Sequence, residues 1–168
     1  MTDQPADASR RGFVAAAVTM AAAGAASDAR AQTPSNLRFS NPPGMSKPAA
    51  YSHVVEVNGP HRTIYLAGQT GADANGKIVE GFRAQAVQVM ENIKTALGSV
   101  GGGFEHVVKI TSYLTNVESN GAEFREVRGS YFPNKNALPA STLLQIPRLA
   151  NPAFLLEVEA IAILPPTA

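Results

Sequence analysis

The chain has no cysteine. That removes disulfides, thiolate metal sites and a cysteine nucleophile from consideration. Charge of either sign is sparse and nearly balanced, with 14 Lys and Arg against 13 Asp and Glu, a formal +1. No run of Lys or Arg forms a stripe, so composition gives nucleic-acid binding no electrostatic support. Histidine is just as thin: His53, His61 and His106 stand far apart, without HxH or HExxH spacing, and no metal site is expected from them. There is no internal repeat. At 168 residues the length fits one domain with a core of its own.

The longest run of small apolar residues is near the start, Val14 to Ala26, and it is too short and too rich in alanine for a stable membrane span. It follows Ser9-Arg10-Arg11-Gly12-Phe13, a twin-arginine pattern, and precedes Ala29-Arg30-Ala31, a small-x-small cleavage site. Residues 1–31 are therefore expected to be an export signal, and the mature protein to be periplasmic or secreted, with no membrane attachment after cleavage. Losing them removes Arg10, Arg11 and Arg30 together with Asp3, Asp7 and Asp28, so the charge argument stands. Residues 32–50, rich in Pro, Ser and Asn, read as an extended lead-in, and residues 51–168 as the folded domain.

Within that domain, 51–57 and 63–67 read as two strands joined by the turn signal Asn58-Gly59-Pro60, a hairpin. Phe82, Ala86, Val89, Met90, Ile93, Ala96, Leu97 and Val100 recur at three and four residues and predict one amphipathic helix over 82–100, ended by Gly101-Gly102-Gly103. Residues 107–115 alternate as a strand, with Val108, Ile110 and Leu114 on one side. A second helix is expected from a cap near Asn120, carrying Phe124, Val127 and Tyr131 and stopping before Pro133. Residues 141–146 and 154–164 supply the last two strands. The order is ββαβαββ: an α+β domain with an antiparallel-rich sheet and helices on one face.

The last strand carries the sharpest signal. Alternation puts Leu156, Val158, Ala160, Ala162 and Leu164 on one clean core face and Leu155, Glu157, Glu159, Ile161 and Ile163 on the other. Two carboxylates on an oily face need a reason, because an unpaired buried carboxylate costs several kcal/mol. That face either meets cationic partners at a subunit interface or borders a cleft.

The element order and several signposts resemble the RidA family, also called YjgF or endoribonuclease L-PSP. The signposts are Tyr51-Ser52, Leu66-Ala67-Gly68-Gln69, residues 85–93, Val108-Lys109-Ile110-Thr111, Pro139-Ala140, Arg148-Leu149 and residues 155–162. The resemblance runs from about residue 51 to 164. It implies a chorismate-mutase-like fold, a homotrimer with helices outside, and three sites at the subunit clefts. It also implies cofactor-free hydrolysis of reactive enamines or imines to a carbonyl compound and ammonia. Residue by residue, Tyr51 falls on the cleft tyrosine, Gly68 on the backbone group that holds substrate or water, and Glu157 on the carboxylate that positions the water.

One departure stands out. In the family's deaminases Pro-Ala is followed by an arginine that forks onto the substrate carboxylate; here Pro139-Ala140 is followed by Ser141. A hydroxyl cannot replace a bidentate charge-assisted pair. The expectation is thus an enamine or imine deaminase of altered substrate. The alternative is a non-catalytic trimer that binds a small metabolite, and a ribonuclease is disfavoured by the lack of a basic groove. Arg125, standing where the family has an asparagine, and Arg148 are candidates for a relocated cation, although Arg125 also reads as a solvated helix residue and Arg148 as an inter-subunit partner of Glu157 or Glu159. Thr142 and Gln145 are polar positions beside the cleft that could touch a ligand, and His53 shares a face with Tyr51.

Overall fold

The computed structural model describes residues 34–167, so the export-signal reading of residues 1–31 lies outside the described residues. The described elements are, in chain order, β1 (Leu37–Ser40), β2 (Val54–Val57), β3 (Arg62–Thr70), α1 (Phe82–Ser99), a single 3-10 turn (Phe104–His106), β4 (Val107–Leu114), α2 (Val117–Tyr131), β5 (Ala140–Gln145) and β6 (Leu156–Leu164). A four-stranded sheet has the order β3-β6-β4-β5. β6 runs antiparallel to both β3 and β4, and β5 lies parallel to β4 as an edge strand. The α+β architecture is as expected.

The core forms where the two periodicities meet. The α1 stripe buries Ala86, Val89, Met90, Ile93 and Leu97 completely, and β6 presents Leu156, Val158, Ala160, Ala162 and Leu164, all buried, to the same cluster. Burying each large apolar side chain is worth roughly 1.5–3 kcal/mol, so this seam holds the helix layer on the sheet. From α2, Phe124 and Val127 join it.

Four details differ from expectation. The lead-in contains a strand: β1 pairs antiparallel with β2, Leu37 opposite Val57 and Ser40 opposite Val54. The ladder partner of β2 is therefore β1 and not β3, in place of the expected hairpin. The cause is a short apolar alternation hidden among the Pro and Asn residues. Leu37, with Phe39, Val55 and Val57, packs on Val108, Ile161 and Ile163, covering part of the sheet face away from the helices. Second, a register shift between Val107 and Lys109 turns Val108 toward that second cluster, while Val107 joins Ile110 and Leu114 in the main core. Third, α2 starts one turn before Asn120: Asn116 is its cap, the side chain accepting from the Ser119 N–H at 2.9 Å. Fourth, element ends move: β6 begins at Leu156 rather than Phe154, β2 at Val54 rather than Tyr51, and β3 runs on to Thr70.

Side chains of α1 fix the loops that border the sheet. Gln85 is 2% exposed. Its Nε2 donates to the carbonyls of Val79 (3.1 Å) and Ala153 (2.9 Å), and its Oε1 accepts from the Leu155 N–H at 2.9 Å. Asn92 donates to the carbonyls of Thr70 and Ala72, holding the chain as it leaves β3. Gln85→Leu keeps the volume but strands two partly buried carbonyls and one N–H. It should cost about 3 kcal/mol in denaturant unfolding with an unchanged m-value; a loss under about 0.5 kcal/mol would show that water takes over those groups.

Candidate functional site

Seven residues were expected to form one site, and the sheet divides them. Gly68 and Glu157 lie together on the face away from the helices. The β3–β6 register shifts between Leu66 and Gln69, so Ala67 and Gly68 form a bulge, and the Glu157 carboxylate packs directly against Gly68. A Cβ built at Gly68 would collide with Glu157 Oε1 and crowd its Cδ and Cγ. A side chain there would push the Glu157 carboxylate, the far end of a flexible side chain, off the bulge. Glu157 is half-buried, opposite Thr70 on β3 and Tyr113 on β4. Among the described residues it has no salt-bridge partner.

Its surroundings on this open face are polar and partly apolar. Tyr113 donates a long 3.4 Å hydrogen bond to Glu159, and burial, then Glu159, holds the phenol above its usual range. Lys109 donates to the Thr142 hydroxyl, and burial lowers its pKa against the opposing pull of Glu159. Thr142 therefore contacts a strand lysine on the open face. Tyr65, 77% exposed, and Leu144, 41% exposed, project from the same face.

Ser141 faces the other way. It is paired with Ile110, a core residue, and so looks toward α2. There Arg128 Nη1 donates to Ser141 Oγ at 2.8 Å, and Nη2 donates to the Ala50 carbonyl. A cavity of about 220 Å³ opens at this point, lined by Ala50, Tyr51, Phe124, Arg125, Arg128, Ser141 and Leu143. Tyr51, Arg125 and Ser141 are thus brought together, beside the edge strand. Tyr51 is steadied by His53, ring edge to ring face at 5.3 Å, and His53 is itself bonded to the Ser46 carbonyl. Arg125 is exposed on α2 and at the same time borders the cavity.

Two expected residues do other things. Gln145 Oε1 accepts from the Val117 N–H at 2.9 Å, tying the end of β5 to the start of α2. Arg148 folds back on its own loop, donating to the carbonyls of Leu149 and Ala150.

Sequence reasoning missed Arg128. It sits three residues after Arg125 and reads as one more helix cation. Only the contact across to Ser141 distinguishes it, and that contact needs the packing of α2 on β5. At 7% exposed it is the most deeply enclosed charge in the described chain, and its Nε has no acceptor. A more apolar cavity of about 320 Å³ lies by Phe104, Tyr131 and Phe132, but its polar groups are already paired. Tyr131 donates to Glu91 at 2.8 Å, and burial with that carboxylate pushes its pKa up to about 12.

Comparisons with known proteins agree with the fold. The endoribonuclease L-PSP family model matches residues 44–164. A RutC family protein of Aquifex aeolicus is 33% identical over 114 residues, 67% of this chain and 87% of that one. The mouse 2-iminobutanoate/2-iminopropanoate deaminase is 36% identical over 115 residues, 67% of this chain and 80% of that protein. A crystal structure of a Rid-family protein of unknown function from Yersinia pestis matches with TM-score 0.71 and 34% identity, covering 77% of this chain and 99% of that one. The fold and these relatives define an α+β protein of the Rid type. The chain belongs to the endoribonuclease L-PSP family, the RidA/YjgF proteins.

Gly68→Ala should move the Glu157 side chain off the bulge and destabilise the fold by about 1 kcal/mol. The same substitution in a Glu157→Ala background should cost at least about 0.5 kcal/mol less. Equal costs in the two backgrounds would mean the carboxylate is not what Gly68 accommodates.

Proposed function

We propose that this chain hydrolyses a small enamine or imine to a carbonyl compound and ammonia. The carrying observation is the Glu157 carboxylate seated on the Gly68 bulge with no cation paired to it. The mouse and rat relatives named 2-iminobutanoate/2-iminopropanoate deaminases support the reaction class.

In this reading Glu157 is the catalytic residue. It holds a water against the imine carbon, and the Gly68 backbone borders the same spot. Water adds across the C=N bond: its oxygen joins carbon, and one proton passes by way of Glu157 to nitrogen, giving a carbinolamine. The C–N bond then breaks, the hydroxyl proton follows the same route, and ammonia leaves as the carbonyl forms. No cofactor is needed for this exchange.

The tyrosine and serine positions lie on the helix side of the same sheet, so we further propose that one site is completed by two copies of the chain. The edge strand β5 of one protomer, with its cavity, would meet the open face of the next in the trimer the family resemblance implies. The exposed Tyr65 and Leu144 on that open face support an apolar contact there.

The test supplies 2-imino acids from an amino-acid oxidase and follows keto-acid release. The chain should accelerate release over spontaneous hydrolysis, and Glu157→Gln should lower kcat about 100-fold or more. Release at the spontaneous rate, or a fully active Glu157→Gln, would contradict the reading.

A further inference from the structure

The cavity at Ser141 holds a charge that no described residue answers. A guanidinium carries five N–H donors. For Arg128 one goes to Ser141 Oγ, one goes to the Ala50 carbonyl and the Nε hydrogen is enclosed without an acceptor. One N–H on each terminal nitrogen is left uncommitted at the cavity wall. Both partners are neutral, and neither balances the charge.

Nor, among the described residues, does any neighbour. The cavity lining contains no Asp or Glu, and its other charged residue is Arg125, one turn away on the same helix. The glutamates of α2 that could have neutralised the pair point elsewhere: Glu123 and Glu126 are both bound by Arg83 of α1, at 3.5 and 2.7 Å. Burial, then the charge of Arg125, lowers the Arg128 pKa. Two like charges at this spacing destabilise a helix, and a buried charge without a counter-ion costs several kcal/mol. An arrangement of this kind is retained where an anion enters. At about 220 Å³ the space is smaller than typical drug-sized sites, which limits the anion to a small metabolite, and the free pair of N–H groups fits the two oxygens of a carboxylate.

We infer that Arg128, with Arg125 at the rim, is the anchor for the carboxylate of a small 2-oxo or 2-imino acid, reached from α2 and oriented by Ser141. Ser141 thus positions a cation rather than replacing one. The hydroxyl accepts from Nη1 and fixes the plane of the guanidinium, and the Ala50 carbonyl fixes it from the other side. Tyr51 closes the wall opposite. The choice of ligand class rests on the hydrolase reading above, whereas the binding it requires can be measured without turnover.

The experiment titrates the full chain with pyruvate and, separately, with pyruvamide, which keeps the shape and loses the charge, by calorimetry and by NMR of the arginine side-chain N–H groups. Pyruvate should bind and shift the Arg128 signals, while pyruvamide should bind at least about tenfold more weakly. Arg128→Gln should weaken pyruvate binding by about tenfold or more, Arg128→Lys should restore part of it, and Ser141→Ala should leave the cation in place and cost only a few-fold. Equal binding of pyruvate and pyruvamide by the unaltered chain, or no binding of either, would overturn the assignment, and this comparison needs no variant to fold. A folded Arg128→Gln that binds pyruvate as tightly as the unaltered chain would overturn it too. In the keto-acid assay, a raised KM with little change in kcat for Arg128→Gln supports the anchor. An inactive chain that still binds pyruvate through Arg128 would remove the hydrolase reading and keep the anchor; an active chain indifferent to Arg128 would do the reverse.

Discussion

Everything in this fold depends on β6 being two-faced. One side of the strand is wholly apolar and is sealed under α1, and this seam supplies most of the burial that holds helices to sheet. That leaves the opposite side free to carry what a core could not, the two carboxylates Glu157 and Glu159. Because β6 is central in the four-stranded sheet, its backbone is fixed by ladders on both sides. A carboxylate on such a strand has little freedom, which is the condition for positioning a water rather than merely presenting charge.

Glycine and arginine then set the two chemical environments. On the open face the Gly68 bulge removes a side chain so that Glu157 can lie flat against backbone. On the helix face Arg128 is taken out of water and given two neutral acceptors but, among the described residues, no counter-ion. The first arrangement keeps a carboxylate unpaired and half-accessible. The second keeps a cation enclosed and unsatisfied. The second is unfavourable in isolation and is offset by the well-packed core beside it, which is how local instability persists at a site in a fold of ordinary stability.

How much of this was legible in the sequence follows from the range of the interactions involved. The α1 stripe and the alternation of β6 are local and periodic, and both stand in the structure as read. Gly68 and Glu157 were both singled out, through the family signposts around them. What escaped reading was non-local or short. β1 is four residues within a Pro- and Asn-rich stretch, too brief to show a period, and it captures β2 only because Leu37 and Phe39 find Ile161 and Ile163 far along the chain. The bulge at Val108 reverses one residue without disturbing the composition of its strand. Asn116 and Asn120 both precede helical pattern, and nothing in the residues decides which one caps. Arg128 looked like its solvated neighbours until α2 was laid across β5. Ser141, read as a lost arginine, takes on a different meaning once its partner is seen.

The central claim is that the carboxylate on one face of the sheet and the cation on the other serve one site built from two copies of the chain. Mixed assemblies test it most directly. Differently tagged Arg128→Gln and Glu157→Gln chains would be co-expressed, the doubly tagged assembly isolated, and imine hydrolysis compared with that of each variant alone. At substrate levels well below KM, where a raised KM lowers the rate, the mixed assembly should turn over faster than either parent, because an intact Arg128 from one chain then meets an intact Glu157 from another. A mixed assembly no more active than its parents would contradict it.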